Sequence, residues 1–157
     1  MKKFFLLPLM VLATLIAIPA CSDDDKEKFP PENPDTLVTT TYTGTLRVNG
    51  GAYTKEGADC EITFAESGDK LTLNIYQVKF AEGMPLTIDL SVPGIDCSTE
   101  NGKTIFSGND IVPLMGVAPV EAYKFSSITG SIENSALNFA ATLTKGSFVF
   151  TGVEKQQ

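Results

Sequence analysis

The chain has 157 residues, with no His, no Trp, three Cys and a formal net charge of -7. Without His it lacks the usual general base of a catalytic triad and the commonest metal ligand in proteins. Its acidic balance argues against a surface that neutralises phosphate groups, so we expect no nucleic-acid partner. We therefore expect a protein that is not an enzyme and that holds no metal and no other cofactor.

Residues 1–20 are predicted to be an export signal that is cleaved from the mature chain. Lys2 and Lys3 give a positive start, and residues 4–18 are almost all apolar, which is typical of such signals. The apolar run is shorter than the ~20 residues that a membrane-spanning helix needs. Ile18-Pro19-Ala20-Cys21 resembles the lipobox of bacterial lipoproteins, so Cys21 is predicted to be lipidated. The alternative is an ordinary secretory signal, with Cys21 left as a free thiol.

Residues 21–38 are predicted to form a tether between the lipid and the folded domain. The residues after the cysteine, Ser22, Asp23, Asp24 and Asp25, resemble the acidic export signal of Bacteroidetes-type lipoproteins. That resemblance implies a place on the outer face of the outer membrane. The alternative is a solvated run of charges that does not act as an export signal. A Pro-rich stretch follows, which favours an extended spacer, and the acyl chains rather than the acidic domain are expected to hold the membrane.

Residues 39–157 are predicted to form one all-β domain, because apolar residues recur at every second position and no long segment shows helical spacing. The first strand spans residues 42–48, and Asn49-Gly50-Gly51 supply the positive φ angles of a tight turn. A second hairpin is predicted from residues 60–64, a turn at residues 66–69, and residues 71–75.

The remaining strands are predicted at residues 86–92, 104–107, 120–132 and 137–143, with a last strand carrying Phe148 and Phe150. The strand at residues 86–92 alternates most cleanly, and we expect it to end at Pro93-Gly94 with Asp89 facing solvent. The apolar phase slips by one residue after Ile75 and again after Phe125. Such a slip exchanges the two faces of a strand, so a bulge or strong bend is expected at both places.

About eight antiparallel strands with short turns can form a lipocalin-like or calycin-like up-and-down barrel, or a two-sheet β-sandwich. The sequential hairpins and the two expected bends favour the barrel. An eight-stranded barrel is just wide enough for its own side chains or for one small ligand. The large side chains predicted to point inward favour a filled interior over a roomy cavity: Tyr42, Leu46, Phe64, Leu71, Leu73, Ile88, Leu90, Tyr123, Phe125, Phe139, Phe148 and Phe150.

Four short motifs resemble the calycin-like lipoprotein domain family of Bacteroidetes. They are Tyr42-Thr43-Gly44-Thr45-Leu46, residues 86–92, Thr129-Gly130-Ser131-Ile132, and Phe148-Val149-Phe150-Thr151-Gly152. The resemblance covers about residues 39–153 and implies an eight-stranded, lipocalin-type barrel with no assigned activity. It does not imply lipocalin ligand binding, because a chain without Trp lacks the Gly-x-Trp signature of true lipocalins.

Residues 110–120 are apolar but interrupted by two Pro and a Gly, which is typical of a loop rather than a central strand. Such a loop either covers the mouth of the barrel or binds a partner. The candidate binding residues are Ile111, Val112, Leu114, Met115 and Val117.

Other reactive side chains are few. Asp89, Asp96, Asp110 and Glu121 are the acids that could serve as paired catalytic carboxylates, and for each a solvated position is expected. Cys60 and Cys97 are predicted to remain unpaired, and the alternative is a disulfide formed by a loop that folds back over the barrel mouth. In an up-and-down order their Cα atoms lie roughly 15 Å apart, beyond the ~7 Å that a disulfide allows. We expect Cys60 to be buried and Cys97 to lie in a loop.

Two classes of function remain. The first is a surface-exposed, non-catalytic binding module for a small molecule, a glycan or a host protein. The second is an accessory or structural subunit of a larger outer-membrane complex, and a more distant third is an inhibitor of secreted proteases. A polar-rimmed opening favours capture of a small ligand, whereas a filled barrel with an exposed apolar loop favours protein docking.

Overall fold

The computed structural model describes residues 37–156, which contain ten strands and two three-residue 3-10 turns. The strands are β1 (Thr39–Val48), β2 (Tyr53–Phe64), β3 (Lys70–Val78), β4 (Ile88–Glu100), β5 (Lys103–Ile111), β6 (Leu114–Met115), β7 (Ala118–Pro119), β8 (Phe125–Glu133), β9 (Ala136–Leu143) and β10 (Gly146–Glu154). The 3-10 turns are Asn49–Gly51 and Glu121–Tyr123. Cys21, Ser22 and the acidic residues Asp23, Asp24 and Asp25 lie outside the described residues, as does the predicted export signal.

Eight of the strands close into an antiparallel up-and-down barrel of the lipocalin or calycin type. Their order is β3-β2-β1-β10-β9-β8-β5-β4, and a ladder between β3 and β4 joins the two ends of that row. The predicted barrel is confirmed and the sandwich alternative is wrong. A sandwich keeps four sheet edges, whereas the β3–β4 ladder pairs the last two edges with each other.

Bulges bend the strands where the sequence phase slips. The β3–β4 register shifts between Ile75 and Val78, and the β8–β9 register shifts between Phe125 and Ser127, so both predicted bulges are confirmed. A further shift in the β1–β2 ladder leaves Gly57 without a partner, at a φ of 64° that suits glycine. These bends supply curvature that a closed sheet of eight strands requires.

The predicted end of a strand at Pro93-Gly94 is wrong, because β4 continues to Glu100. Leu71 pairs with Ile95 and Leu73 with Val92, so β4 carries one extra residue at this point. A bulge accommodates a proline, which has no N–H to donate to a ladder. Two further corrections follow: Cys97 lies in β4 rather than in a loop, and Leu86 precedes the strand and is 72% exposed.

The barrel interior is occupied by side chains. All eight barrel strands contribute to one cluster of 22 buried apolar residues among those described. Phe139 and Phe150 stack with ring centroids 5.4 Å apart, and Phe125 meets Phe148 edge-on at 6.1 Å. Within residues 37–156, no buried side-chain nitrogen or oxygen lacks a hydrogen-bond partner. The predicted inward set is therefore placed correctly, although its members at strand ends or beyond them, Phe64, Ile88 and Tyr123, are only partly buried.

The two ends of the barrel differ. The chain enters β1 and leaves β10 at one end, together with the short turns β2–β3, β4–β5 and β8–β9, and we call this the tether end. The longer connections, residues 79–87 and 112–124, lie at the far end. Phe80 and Tyr123 from these two connections stack at 5.0 Å, and Phe80 also packs on Phe148 at 5.3 Å. Phe80 and Tyr123 therefore pack against the barrel core at the far end.

Replacing Gly44 by Ala is expected to destabilise the barrel. Gly44 pairs with Gly152 across the β1–β10 ladder, and a Cβ on Gly44 would lie 2.1 Å from the Thr151 carbonyl oxygen. Because the obstacle is backbone, relief requires a strand to move, and such overpacking costs about 1–3 kcal/mol or more. Gly83→Ala is the matched control, since nothing lies within 4 Å of its added Cβ. Equal urea midpoints for the two variants would contradict the close approach of Gly44 to the backbone of β10.

Candidate functional site

A polar groove of about 430 Å³ runs along the outer wall of the barrel. We call it the outer-wall groove. Strands β2, β3 and β4 supply most of its walls, and the segment after β10 supplies Lys155. The lining residues are Thr41, Lys55, Gly57, Asp59, Glu61, Tyr76, Gln77, Asp89 and Lys155. Three carboxylates, two ammonium groups, a phenol and an amide thus line one concave surface.

The groove is built where two strands bulge. Gly57 interrupts the pairing of β2 with β1, and Gln77 lies in the register shift of β3 against β4. Gln77 has a φ of 54°, which is uncommon for a residue with a side chain. Its backbone N–H donates to the Asp89 carboxylate at 2.7 Å, and its side-chain oxygen accepts from the Lys55 ammonium at 2.8 Å. One residue therefore links side chains of β2 and β4 across β3.

Tyr76 supplies a hydroxyl donor that is already engaged within the groove. Its hydroxyl donates to a Glu61 carboxylate oxygen at 2.6 Å. Burial is the largest cause that raises the pKa of Tyr76 to about 12, and the hydrogen bond to Glu61 and the negative charges of Glu61 and Asp89 add to it. The phenol therefore stays protonated and holds Glu61 in place throughout the ordinary pH range.

A residue of β1 donates a hydrogen bond to the Asp59 carboxylate. One of its carboxylate oxygens accepts from the Thr43 hydroxyl at 2.5 Å, and the other lies 3.9 Å from the Lys155 ammonium. Glu61 and Asp89 each use a single carboxylate oxygen within residues 37–156, for Tyr76 and for the Gln77 backbone respectively. Each of these three groove-lining acids thus has one carboxylate oxygen without a close donor among the described residues.

Cys60 lies in β2, one residue from Asp59, but its side chain belongs to the barrel core. It is fully buried, and burial raises its pKa well above the usual value for a thiol. Cys97 is partly exposed, and both thiols are free, as predicted. In the described part of the chain, no three His, Cys, Asp or Glu side chains are grouped closely enough to hold a metal ion.

The predicted apolar loop is partly a short hairpin. Leu114 pairs with Ser91 of β4, so β6 continues along β4 after β5 has turned away, and β7 pairs back on β6. A hydrogen bond of 2.9 Å from the Val120 N–H to the Pro113 carbonyl closes the hairpin. The expectation of a plain loop is wrong here, because each strand of this hairpin still finds a partner despite its prolines.

The candidate binding residues of this segment do not form one exposed patch. Ile111 and Met115 are partly buried and pack against the barrel core, and Val112 and Leu114 are also half-buried. Only Val117, at the hairpin turn, is almost fully exposed at 95%.

The four acids named as possible paired carboxylates have different surroundings in the structure. Asp89 faces outward in the outer-wall groove, as expected. Asp96 forms an ion pair with Lys70, and Asp110 forms one with Lys124 at 2.9 Å. Glu121 is exposed in a 3-10 turn. The sequence does not predict the groove residues beside Asp89, although the phase slip after Ile75 marks the bulge that turns Gln77 outward.

Comparison with known proteins returns no relative of this chain. No protein-family model, no curated protein and no solved structure matches it. No helix within residues 37–156 has the length and apolar character needed to cross a membrane.

Met115→Ser is expected to lower stability, because Met115 packs against the barrel core while lying only partly buried. We expect a loss of about 1–3 kcal/mol, below the ~2–5 kcal/mol typical of truncating a fully buried side chain. Val117→Ser, two residues away and exposed, should change stability by less than about 0.5 kcal/mol. Urea unfolding of both variants measures the difference. An unchanged urea midpoint for Met115→Ser would mean that Met115 makes no stabilising contact with the core and that the segment is available for binding.

The raised pKa of Tyr76 predicts a loss of stability at high pH. The folded protein holds the phenol proton more tightly than the unfolded chain does. This contribution is therefore complete below pH 10, the ordinary pKa of tyrosine, and is lost as the pH rises through about 12. Between about pH 9 and 11.5, wild type should lose more stability than Tyr76→Phe in paired urea titrations. Parallel losses in the two proteins would mean that Tyr76 ionises as freely as a solvated tyrosine.

Proposed function

We propose that this protein is a surface-exposed outer-membrane lipoprotein that acts as a non-catalytic binding module for a small molecule, a glycan or a host protein. It would belong with the calycin-like lipoprotein domains of Bacteroidetes. One observation carries the proposal: the barrel interior is packed with side chains, while the outer-wall groove presents preorganised polar groups to solvent.

The packed interior supports binding outside the barrel rather than within it. A ligand site inside a barrel needs enclosed space and polar groups left open for the ligand. Here the rings of Phe139, Phe150, Phe125 and Phe148 contact each other inside, and no described buried polar side chain lacks a partner. Carboxylate oxygens without a close donor among the described residues line the groove instead.

The placement of the chain ends supports display at a cell surface. Thr39 begins β1 at the tether end, so a lipid on Cys21 would attach through residues 22–38 to that end of the barrel. The outer-wall groove lies on the side of the barrel, and the connections at residues 79–87 and 112–124 lie at the far end. A module anchored in this way would leave both surfaces open to ligands.

A second function, as an accessory subunit of a larger outer-membrane complex, is favoured by the opposite wall. In β8, β9 and β10 the only charged residues are Glu133 and Glu154, near strand ends. Apolar side chains are exposed on this wall, with Val149 at 48% and Val153 at 63%. A wall with few charges suits contact with another protein. Ala140 is exposed in β9 of this wall. If the protein migrates with a larger assembly in detergent extracts and Ala140→Arg abolishes that migration, this function would be favoured over the first.

Cys21→Ala is expected to release the protein from membranes, because the acyl chains would be its attachment. Sedimentation after a carbonate wash, followed by immunoblotting, measures the bound fraction. Replacing Asp23, Asp24 and Asp25 together by Asn should instead leave the protein in the membrane fraction but protect it from protease added to whole cells.

A Cys21→Ala protein that still sediments with outer membrane would contradict lipid anchoring. Unchanged digestion of the triple Asn variant would contradict the role of the acidic run in export. Cys97→Ala is a suitable control, since it removes a partly exposed thiol of the barrel and should alter neither result.

A further inference from the structure

The open polar atoms of the outer-wall groove include both acceptors and donors. The acceptors are the carboxylate oxygens of Asp59, Glu61 and Asp89 that have no close donor among residues 37–156. Donors lie beside them in the same lining: the ammonium groups of Lys55 and Lys155 and the side-chain amide of Gln77. A ligand that satisfies this surface must therefore donate and accept hydrogen bonds over a short distance.

Charged ligands match this surface poorly. An anion would meet three carboxylates, and an ammonium or guanidinium group would meet two lysines while being able only to donate. A hydroxyl group both donates and accepts. Two hydroxyls on neighbouring carbons can donate to a carboxylate such as that of Asp89 and accept from an amide such as that of Gln77.

We propose that the outer-wall groove binds a neutral, hydroxyl-rich sugar unit, an inference that rests on the proposed function as a surface binding module. The groove volume of about 430 Å³ falls within the ~300–1,000 Å³ of small-ligand sites. Tyr76 is partly exposed in the lining and adds an aromatic surface with a polar tip, which suits a ring that has apolar C–H groups and polar edges.

Each carboxylate of the groove accepts a hydrogen bond from a neighbouring residue. Tyr76 holds Glu61, Thr43 holds Asp59, and the Gln77 backbone holds Asp89. These contacts fix the carboxylates within a rigid barrel wall before any ligand arrives. Binding would then lose little side-chain entropy, which is the main advantage of a preorganised site.

The test uses the full mature chain with Cys21→Ala, which lacks only the predicted lipid. This protein is screened by saturation-transfer NMR against neutral trisaccharides of glucose, mannose, xylose and galactose. A galacturonic acid trimer is the anionic probe, and a glucosamine trimer is the cationic one. We expect at least one neutral sugar to bind, and both charged trimers to bind more weakly.

Glu61→Gln and Asp89→Asn should each weaken that binding by about tenfold or more, because each removes the charge of an acceptor that the sugar hydroxyls would use. Asp96→Asn is the matched control. It makes the same change in charge on β4, at a residue that pairs with Lys70 outside the groove. Circular dichroism of all three variants checks that the barrel remains folded.

Equal sugar binding by wild type, Glu61→Gln and Asp89→Asn would overturn the assignment to this groove. Preference for a charged trimer, or failure of every neutral sugar to bind, would overturn the ligand class. The surface-module proposal fails separately, since it depends on membrane release of Cys21→Ala and on protease access to whole cells.

Discussion

The ladder between β3 and β4 is the contact on which the rest of the structure depends. It joins the first and last strands of the row β3-β2-β1-β10-β9-β8-β5-β4 and turns an open sheet into a barrel. Closure leaves no free sheet edge in that row, and one face of every strand then points into the barrel. Large side chains then fill this interior, including the stacked rings of Phe139 and Phe150. The inner face stabilises the fold, so the binding that we propose is assigned to the outer wall.

Closure also creates the place where recognition is proposed. A sheet of eight strands closes only if its strands bend, and bulges provide such bends. Two of them, at Gly57 in β2 and at Gln77 in β3, flank the outer-wall groove and help form its concave shape. The Gln77 N–H bonds to the Asp89 carboxylate at 2.7 Å. The same departures from regular pairing thus serve both curvature and the polar site.

Local patterns in the sequence predict most of the strands and little of the site. Alternation over residues 137–143 predicts β9 to within one residue, and the slip after Ile75 predicts a bulge, because both signals lie within one strand. Pro93-Gly94 misleads because the bulge that accommodates it depends on the partner strand β3. The groove brings Glu61, Tyr76 and Asp89 together from three strands, and their convergence depends on register, which no single segment encodes.

The most direct test of this account is whether the barrel interior is filled. Xenon enters dry apolar cavities, such as an engineered cavity of ~150 Å³, so methyl NMR under xenon pressure reports empty space inside the barrel. A packed interior predicts no saturable shift of the methyl resonances of Leu46, Leu73 and Ile75, which are fully buried. Saturable shifts clustered on these inner methyl groups would reveal a cavity and contradict the packed interior. The inside of the barrel would then be a candidate ligand site.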